Sequence, residues 1–215
     1  MSVGAPAWIG RDEMLFSPLL ERLGVVAGFT TRAQGSMAGS VYPLEEQARN
    51  REALARRLRF HELVRLKQVH GSAVVRVDRA TEPWPIADAM WTDRVGLLLG
   101  VAAADCVPIL VADGADPRRL VASLGPSIGP CCYTVDAARA EALREMQEHL
   151  IARNGQIAFD LWGANAAQLR ESGVGEIEIA GICTKSGGQD LWSYRARDER
   201  GRYGTQLGFI GRRAE

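Results

Sequence analysis

The sequence predicts an α/β (α+β) protein built on mixed β-sheets, and three observations carry that reading. Two nearly continuous apolar runs, Leu97 to Ala103 and Val107 to Ala112, have the length and composition of buried strands. Glu45 to Leu58 places Ala48, Leu54, Ala55 and Leu58 at helical spacing among Arg and Glu, the pattern of a surface helix with one buried stripe. Strand-like and helix-like segments then interleave to the end of the chain, as expected when helices pack on sheets.

Val25 to Thr30 is a short β-type run that opens into a loop of small residues, Thr31 to Ser40, with Arg32 as its cation. After the helix of residues 45–58, Ala73 to Val77 is predicted as a strand, and Asp105-Cys106 falls where the chain bends between the two buried runs. Gly125 to Tyr133 is rich in Gly and Pro and predicts a rigid loop. A helix is expected over Val135 to Arg153, with Val135, Ala138, Ala142, Met146 and Leu150 on one face and Asn154-Gly155 as its stop. A second helix is expected from Leu161 to Gly173, capped by Asp160. Glu176 to Ala180 alternates as a strand with one wet face would, and Leu207 to Ile210 is the last apolar run.

With 215 residues, 47% hydrophobic and 24% charged, the composition predicts a single domain over 1–215 with one large core. Lys plus Arg and Asp plus Glu balance at 26 each, so no global field draws the protein to nucleic acid or anionic membrane, and small molecules are the expected partners. No apolar stretch approaches the roughly 20 residues that span a bilayer, and the N-terminus lacks a signal-type pattern. A cytoplasmic location is therefore expected, and Cys106, Cys131, Cys132 and Cys183 are read as thiols.

The residues that carry chemistry are His70, in Lys67-Gln68-Val69-His70-Gly71, and Cys106, in Ala104-Asp105-Cys106-Val107-Pro108. An imidazole and a thiolate brought together can hold zinc, or can act as nucleophile and general base. Asp105 joins them as a candidate, because a carboxylate held between two buried strands must find partners. His61 and His149 lie in charged surroundings and read as solvated surface, and Trp84, Trp91, Trp162 and Trp192 read as core.

Several short motifs recur in order: Gly28-Phe29-Thr30-Thr31-Arg32, Gln68-Val69-His70-Gly71, Ala87-Asp88-Ala89, Ala104-Asp105-Cys106-Val107-Pro108, the loop of residues 125–133 and Asp160-Leu161-Trp162. Together they resemble the laccase-domain family, whose members are described as polyphenol oxidases, purine nucleoside phosphorylases or peptidoglycan editing factors; the likeness runs from about Gly24 to the C-terminus. The resemblance implies a layered α/β/β/α sandwich with mixed sheets, and a zinc held by His70, Cys106 and a second histidine. In the family that histidine lies in a His-Ala-Gly-Trp-Arg-Gly motif, which this sequence lacks. Pro108 to Pro117 instead runs almost directly to Leu124-Gly125-Pro126, as though a strand and a helix were excised. The Thr-Arg loop is shortened between Ser40 and Glu45, and a usual Cys-Thr-Tyr-Cys becomes Cys183-Thr184-Lys185-Ser186. Cys131 and Cys132 are the first candidates for the missing ligand.

By the same resemblance the substrates are a purine nucleoside and phosphate, in a phosphorylase or adenosine deaminase reaction. Zinc would act there as a Lewis acid or as an activator of water. Arg32 and Gln68 are the expected substrate or anion contacts. The same pair also allows a metal-free reading, with Cys106 as nucleophile and His70 as base in a hydrolase or amidase acting on a cell-wall precursor. A third reading is a non-catalytic binding or assembly relative, in which a second copy covers the apolar surface uncovered by the excision. The copper chemistry of the laccase name lacks its set of two histidines, a cysteine and a methionine.

Overall fold

The structure, a computed structural model, describes residues 8–112, 117–187 and 190–214; Asp113 to Asp116, in the middle of the inferred excision, lie outside the described residues. In chain order, β1 (Ile9–Arg11), β2 (Met14–Phe16), the short helix α1 (Pro18–Glu21) and β3 (Val26–Phe29) precede the long helix α2 (Leu44–Arg57). Then come β4 (Glu62–Arg65), β5 (Val74–Arg76), β6 (Ala89–Trp91), β7 (Leu97–Ala103) and β8 (Ile109–Ala112). The second half contains β9 (Val121–Leu124), β10 (Thr134–Val135), α3 (Ala137–Ala142), β11 (Leu150–Arg153) and β12 (Gln156–Phe159). It closes with α4 (Leu161–Glu171), β13 (Glu176–Ile179) and β14 (Gln206–Gly211).

Two mixed sheets face each other. The larger has the order β1-β2-β3-β14-β7-β4, antiparallel except for the parallel β4–β7 pair; the smaller has the order β13-β9-β8, with β13 parallel and β8 antiparallel to β9. Leu15, Ala27, Phe29 and Ala103 of the first sheet pack with Leu110, Val121, Ala180 and Ile182 from the second sheet and its continuation. On the far side of the large sheet, Leu54 of α2 and Leu58 just after it pack on Met14, Leu98, Leu207 and Phe209, while α4 lies against β9 and β13. The layers are therefore α/β/β/α. Burial of these apolar faces is the main stabilising term, at about 25 cal/mol per Å² removed from water. Among the described residues no helix is long and apolar enough to cross a membrane.

Three expectations are corrected. The helix read over Val135 to Arg153 is broken: Asp136 caps only Ala137–Ala142, Met146 leaves helical geometry (φ −121°), and Leu150–Arg153 pairs as a strand with Gln156–Phe159. Asn154 and Gly155, at φ 50° and 73°, are the tight turn of that hairpin rather than a helix stop, because Asn-Gly supplies the two left-handed residues the turn requires. His149, read as solvated, has a side chain only 15% exposed and sits edge-on to Phe159.

The supposed wet face of Glu176–Ile179 is wet only at Glu176, since Glu178 is buried. The hydroxyls of Ser17 and Ser123 donate to its carboxylate, Leu19 N–H approaches at 3.4 Å, and Trp8 Nε1 donates to Ser123 at 3.1 Å. A carboxylate taken out of water persists only with such partners. Glu178→Gln turns one accepting oxygen into a donor and should destabilise the protein by about 1–2 kcal/mol, read as a lower urea midpoint with an unchanged slope.

Candidate active site

The turn that carries His70 is organised around a carboxylate. Val69, His70 and Gly71 present successive backbone N–H groups to Asp88, with His70 N at 2.9 Å from Oδ1, Gly71 N at 2.8 Å from Oδ2 and Val69 N at 3.2 Å. Consecutive N–H groups that converge in this way make an anion cradle. His70 occupies the left-handed region at φ 59°, a conformation that survives only when its surroundings hold it. The cradle holds the Asp88 carboxyl below the usual carboxylate range, the Gly71 N–H contributing most.

Gln68 anchors the same turn to β7. Its Nε2 donates to Ala102 O at 3.1 Å and its Oε1 accepts from Ala102 N at 2.8 Å, so both ends of the amide are engaged by one backbone residue. Ala102 lies four residues before Cys106, and the clip therefore brings the His70 turn to the end of β7 from which Cys106 emerges.

Asp105 turns the chain from one sheet to the other at φ 85°. Its carboxylate is buried, accepting from Thr184 Oγ1 at 2.6 Å and from Arg195 N at 2.7 Å, while its carbonyl accepts from Ile128 N at 3.0 Å. Three distant segments thus close on one residue and orient the neighbouring Cys106 outward. Solvent reaches Cys106, yet enough protein surrounds its sulfur that burial pushes the thiol up, and the charges of Asp105 and then Asp88 push it further. The field of Asp88 also couples to His70. Both His70 and Cys106 lie within electrostatic reach of this one carboxylate.

Arg32 is held elsewhere, against the segment that leads to Arg195. Its Nε donates to Leu191 O at 3.0 Å, Asp190 lies at 3.4 Å, and the guanidinium stacks over Trp192 at 4.4 Å. Arg195, whose backbone grips Asp105, extends over the Tyr133 ring at 4.9 Å and donates to Thr134 O.

A catalytic zinc takes three protein ligands and leaves the fourth position open. Among the described residues, Cys131, Cys132 and Cys183 are the group of three potential donors that lie within 4.8 Å of one another, and that group includes neither His70 nor Cys106. Asp88, whose charge reaches both, is engaged by three backbone N–H groups. The residues at His70 and Cys106 do not fit the three-point zinc shell that the resemblance implies, and Cys131 and Cys132 join Cys183 instead. Burial pushes the Cys183 thiol up, but the Ser186 hydroxyl and the N–H groups of Gly129, Ser186 and Lys185 outweigh it and bring it down to about 7.

Asp88, Thr184 and Arg195 were not legible as part of this site. The Ala87-Asp88-Ala89 motif was the available signal, but neither it nor the Thr184 and Arg195 positions state what they pair with over 17 to 90 residues of sequence.

Comparison with known proteins gives a consistent picture. The family model described as multi-copper polyphenol oxidoreductase laccase matches residues 27–116 and 111–213, two pieces that overlap at residues 111–116. A purine nucleoside phosphorylase of Deinococcus radiodurans is 34% identical over 240 positions, spanning 90% of this chain and 92% of the relative. Purine nucleoside phosphorylase YlmD of Geobacillus stearothermophilus is 31% identical over 253 positions, spanning 89% and 92%. Those 253 positions exceed the 215 residues of this chain, so the relative carries segments that this chain lacks. The crystal structure of that YlmD superposes with a TM-score of 0.82 at 26% identity, covering 97% of this chain and all of its own, and Bacillus licheniformis YfiH gives 0.80 at 25%, covering 99% and 98%. The chain belongs to the laccase-domain family described as multi-copper polyphenol oxidoreductase laccase, in a shortened form.

Proposed function

We propose that this protein catalyses the phosphorolysis of purine nucleosides, with His70 and Cys106 at the reacting centre. The carrying observation is the Asp88 cradle, which holds the His70 turn in a strained, defined geometry and whose charge is felt at Cys106. Relatives named purine nucleoside phosphorylases, matched over most of their length, support the substrate class.

In phosphorolysis a phosphate oxygen attacks C1′ of the ribose and the C1′–N9 bond breaks. The electron pair leaves with the purine, which takes up a proton, and the products are the free base and ribose 1-phosphate. His70 is suited to supply that proton, because its backbone is immobilised while its ring stays open to solvent. Cys106, kept protonated by its surroundings, can donate a hydrogen bond to the departing base. Arg32 is the anion contact in this reading, its Asp190 partner giving way to phosphate. Gln68 supports the His70 turn through Ala102.

Deamination is the less suited half of the family chemistry here, since it needs an activated water and, among the described residues, no group of three metal donors includes His70 or Cys106. The amidase reading needs Cys106 as a thiolate, and burial together with Asp105 and Asp88 opposes that form. The test is turnover of inosine and adenosine with and without phosphate. The expected result is phosphate-dependent release of free base, reduced about 10²–10⁴-fold in kcat/KM by His70→Ala, with a smaller loss for Cys106→Ala. Arg32→Ala should raise KM for phosphate. Wild-type turnover in both His70→Ala and Cys106→Ala would overturn the reading, and so would formation of inosine from adenosine without base release.

A further inference from the structure

We propose that Cys131, Cys132 and Cys183 form a metal centre, a structural Zn²⁺ site distinct from the His70–Cys106 centre and independent of the nucleoside reading. The three sulfurs lie within 4.8 Å of one another. Zn–S bonds of about 2.3 Å at tetrahedral angles place sulfurs about 3.8 Å apart, so an ion would draw the thiols together by an ångström or less. Ser186 Oγ sits 3.4 Å from Cys131 Sγ and 3.3 Å from Cys132 Sγ, beside the position a fourth ligand would take.

The backbone around Cys183 is shaped as a ligand turn. Gly187 N donates to Cys183 O at 2.7 Å, and a Cβ on Gly187 would stand 2.5 Å from that same carbonyl, so the turn closes tightly only on glycine. Gly129 N donates to Cys183 Sγ at 3.3 Å, a contact that favours the sulfur as an acceptor. Cys183-Thr184-Lys185-Ser186-Gly187 therefore has the spacing of a Cys-x-x-Cys zinc turn in which serine stands at the second ligand position. The Cys131–Cys132 pair comes from the other side, in the loop that follows β9.

The consequence concerns the fold. The two segments that supply the thiols are those that grip Asp105, through Ile128 N on one side and Thr184 Oγ1 on the other. An ion bound to all three sulfurs would fasten the loops that position Cys106. On binding, three S–Zn bonds form and the thiol protons pass to solvent, with no change of oxidation state.

The experiment uses the full chain, reduced and stripped by a chelator, titrated with Zn²⁺ against a chromogenic indicator and separately with Co²⁺. The expected result is one equivalent bound, intense near-ultraviolet thiolate-to-cobalt bands, and retention of both in His70→Ala and Cys106→Ala. Cys132→Ser should weaken Zn²⁺ binding by about 100-fold or more. Ser186→Cys, which completes the shell, should tighten it by at least about 10-fold and tests the site without deleting a packed group. The proposal is overturned if the reduced wild type binds no Zn²⁺ or if its Co²⁺ form lacks thiolate bands. It is equally overturned if Ser186→Cys binds no tighter, or if Cys106→Ala loses the ion while Cys132→Ser keeps it.

Discussion

Asp105→Ala is expected to cost about 3–4 kcal/mol of stability and to remove most nucleoside turnover. The substitution leaves two donors without an acceptor, the buried Thr184 Oγ1 and the part-buried Arg195 N, and it keeps a side chain in a backbone conformation that alanine tolerates poorly at φ 85°. Each orphaned donor costs about 1–3 kcal/mol, so the sum exceeds any single surface change. Asp105→Asn is the control. Asparagine accepts left-handed geometry and keeps one accepting oxygen, and its loss should be about half as large. Urea unfolding of the two variants measures the difference, and a loss below about 1 kcal/mol in Asp105→Ala would show that the carboxylate is not what joins the Thr184 and Arg195 segments.

Asp88→Asn is expected to reduce kcat by about 100-fold while leaving the far-ultraviolet spectrum unchanged. The amide turns an N–H toward a cradle made of N–H groups, so the His70 turn loses part of its anchor while the sheets, which do not depend on it, remain. The same change removes a negative charge from the surroundings of Cys106 and relieves the smallest of the influences that hold its thiol up, while burial and Asp105 remain. More thiolate is then present at mildly alkaline pH, and iodoacetamide should alkylate Cys106 faster in the variant than in the wild type. Slower alkylation would mean that Asp88 does not share a neighbourhood with Cys106. Slow turnover with unchanged alkylation would place the effect in the His70 turn alone.

The parts of the fold that were legible are those encoded by local repetition. Leu97–Ala103 was read with both ends correct, because seven consecutive residues without a charged side chain match a strand buried on both faces. The helix at Leu44–Arg57 and the Asp160 cap, which accepts from Trp162 N and Gly163 N, were also local signals. The stretch after Val135 misled because Asn-Gly serves both as a helix terminator and as a hairpin turn, and a four-residue strand is too short for its period to settle the choice. Strand alternation alone says that one face is polar, whereas Ser123 and Ser17, 55 and 161 residues away in sequence, are what let Glu178 on that face be buried.

By itself the sequence determined the strand and helix periods, the family, and the absence of the His-Ala-Gly-Trp-Arg-Gly motif, and it singled out His70 and Cys106 as the candidates for chemistry. Only the tertiary structure decided that Asp88 gathers the His70 turn, that Asp105 is spent on Thr184 and Arg195, and that three cysteines from two segments converge on Ser186. The division has one physical cause. Periodicity and turn chemistry are set by neighbours along the chain, but the partner of a polar side chain is set by which remote backbone the packed sheets bring within about 3 Å of it.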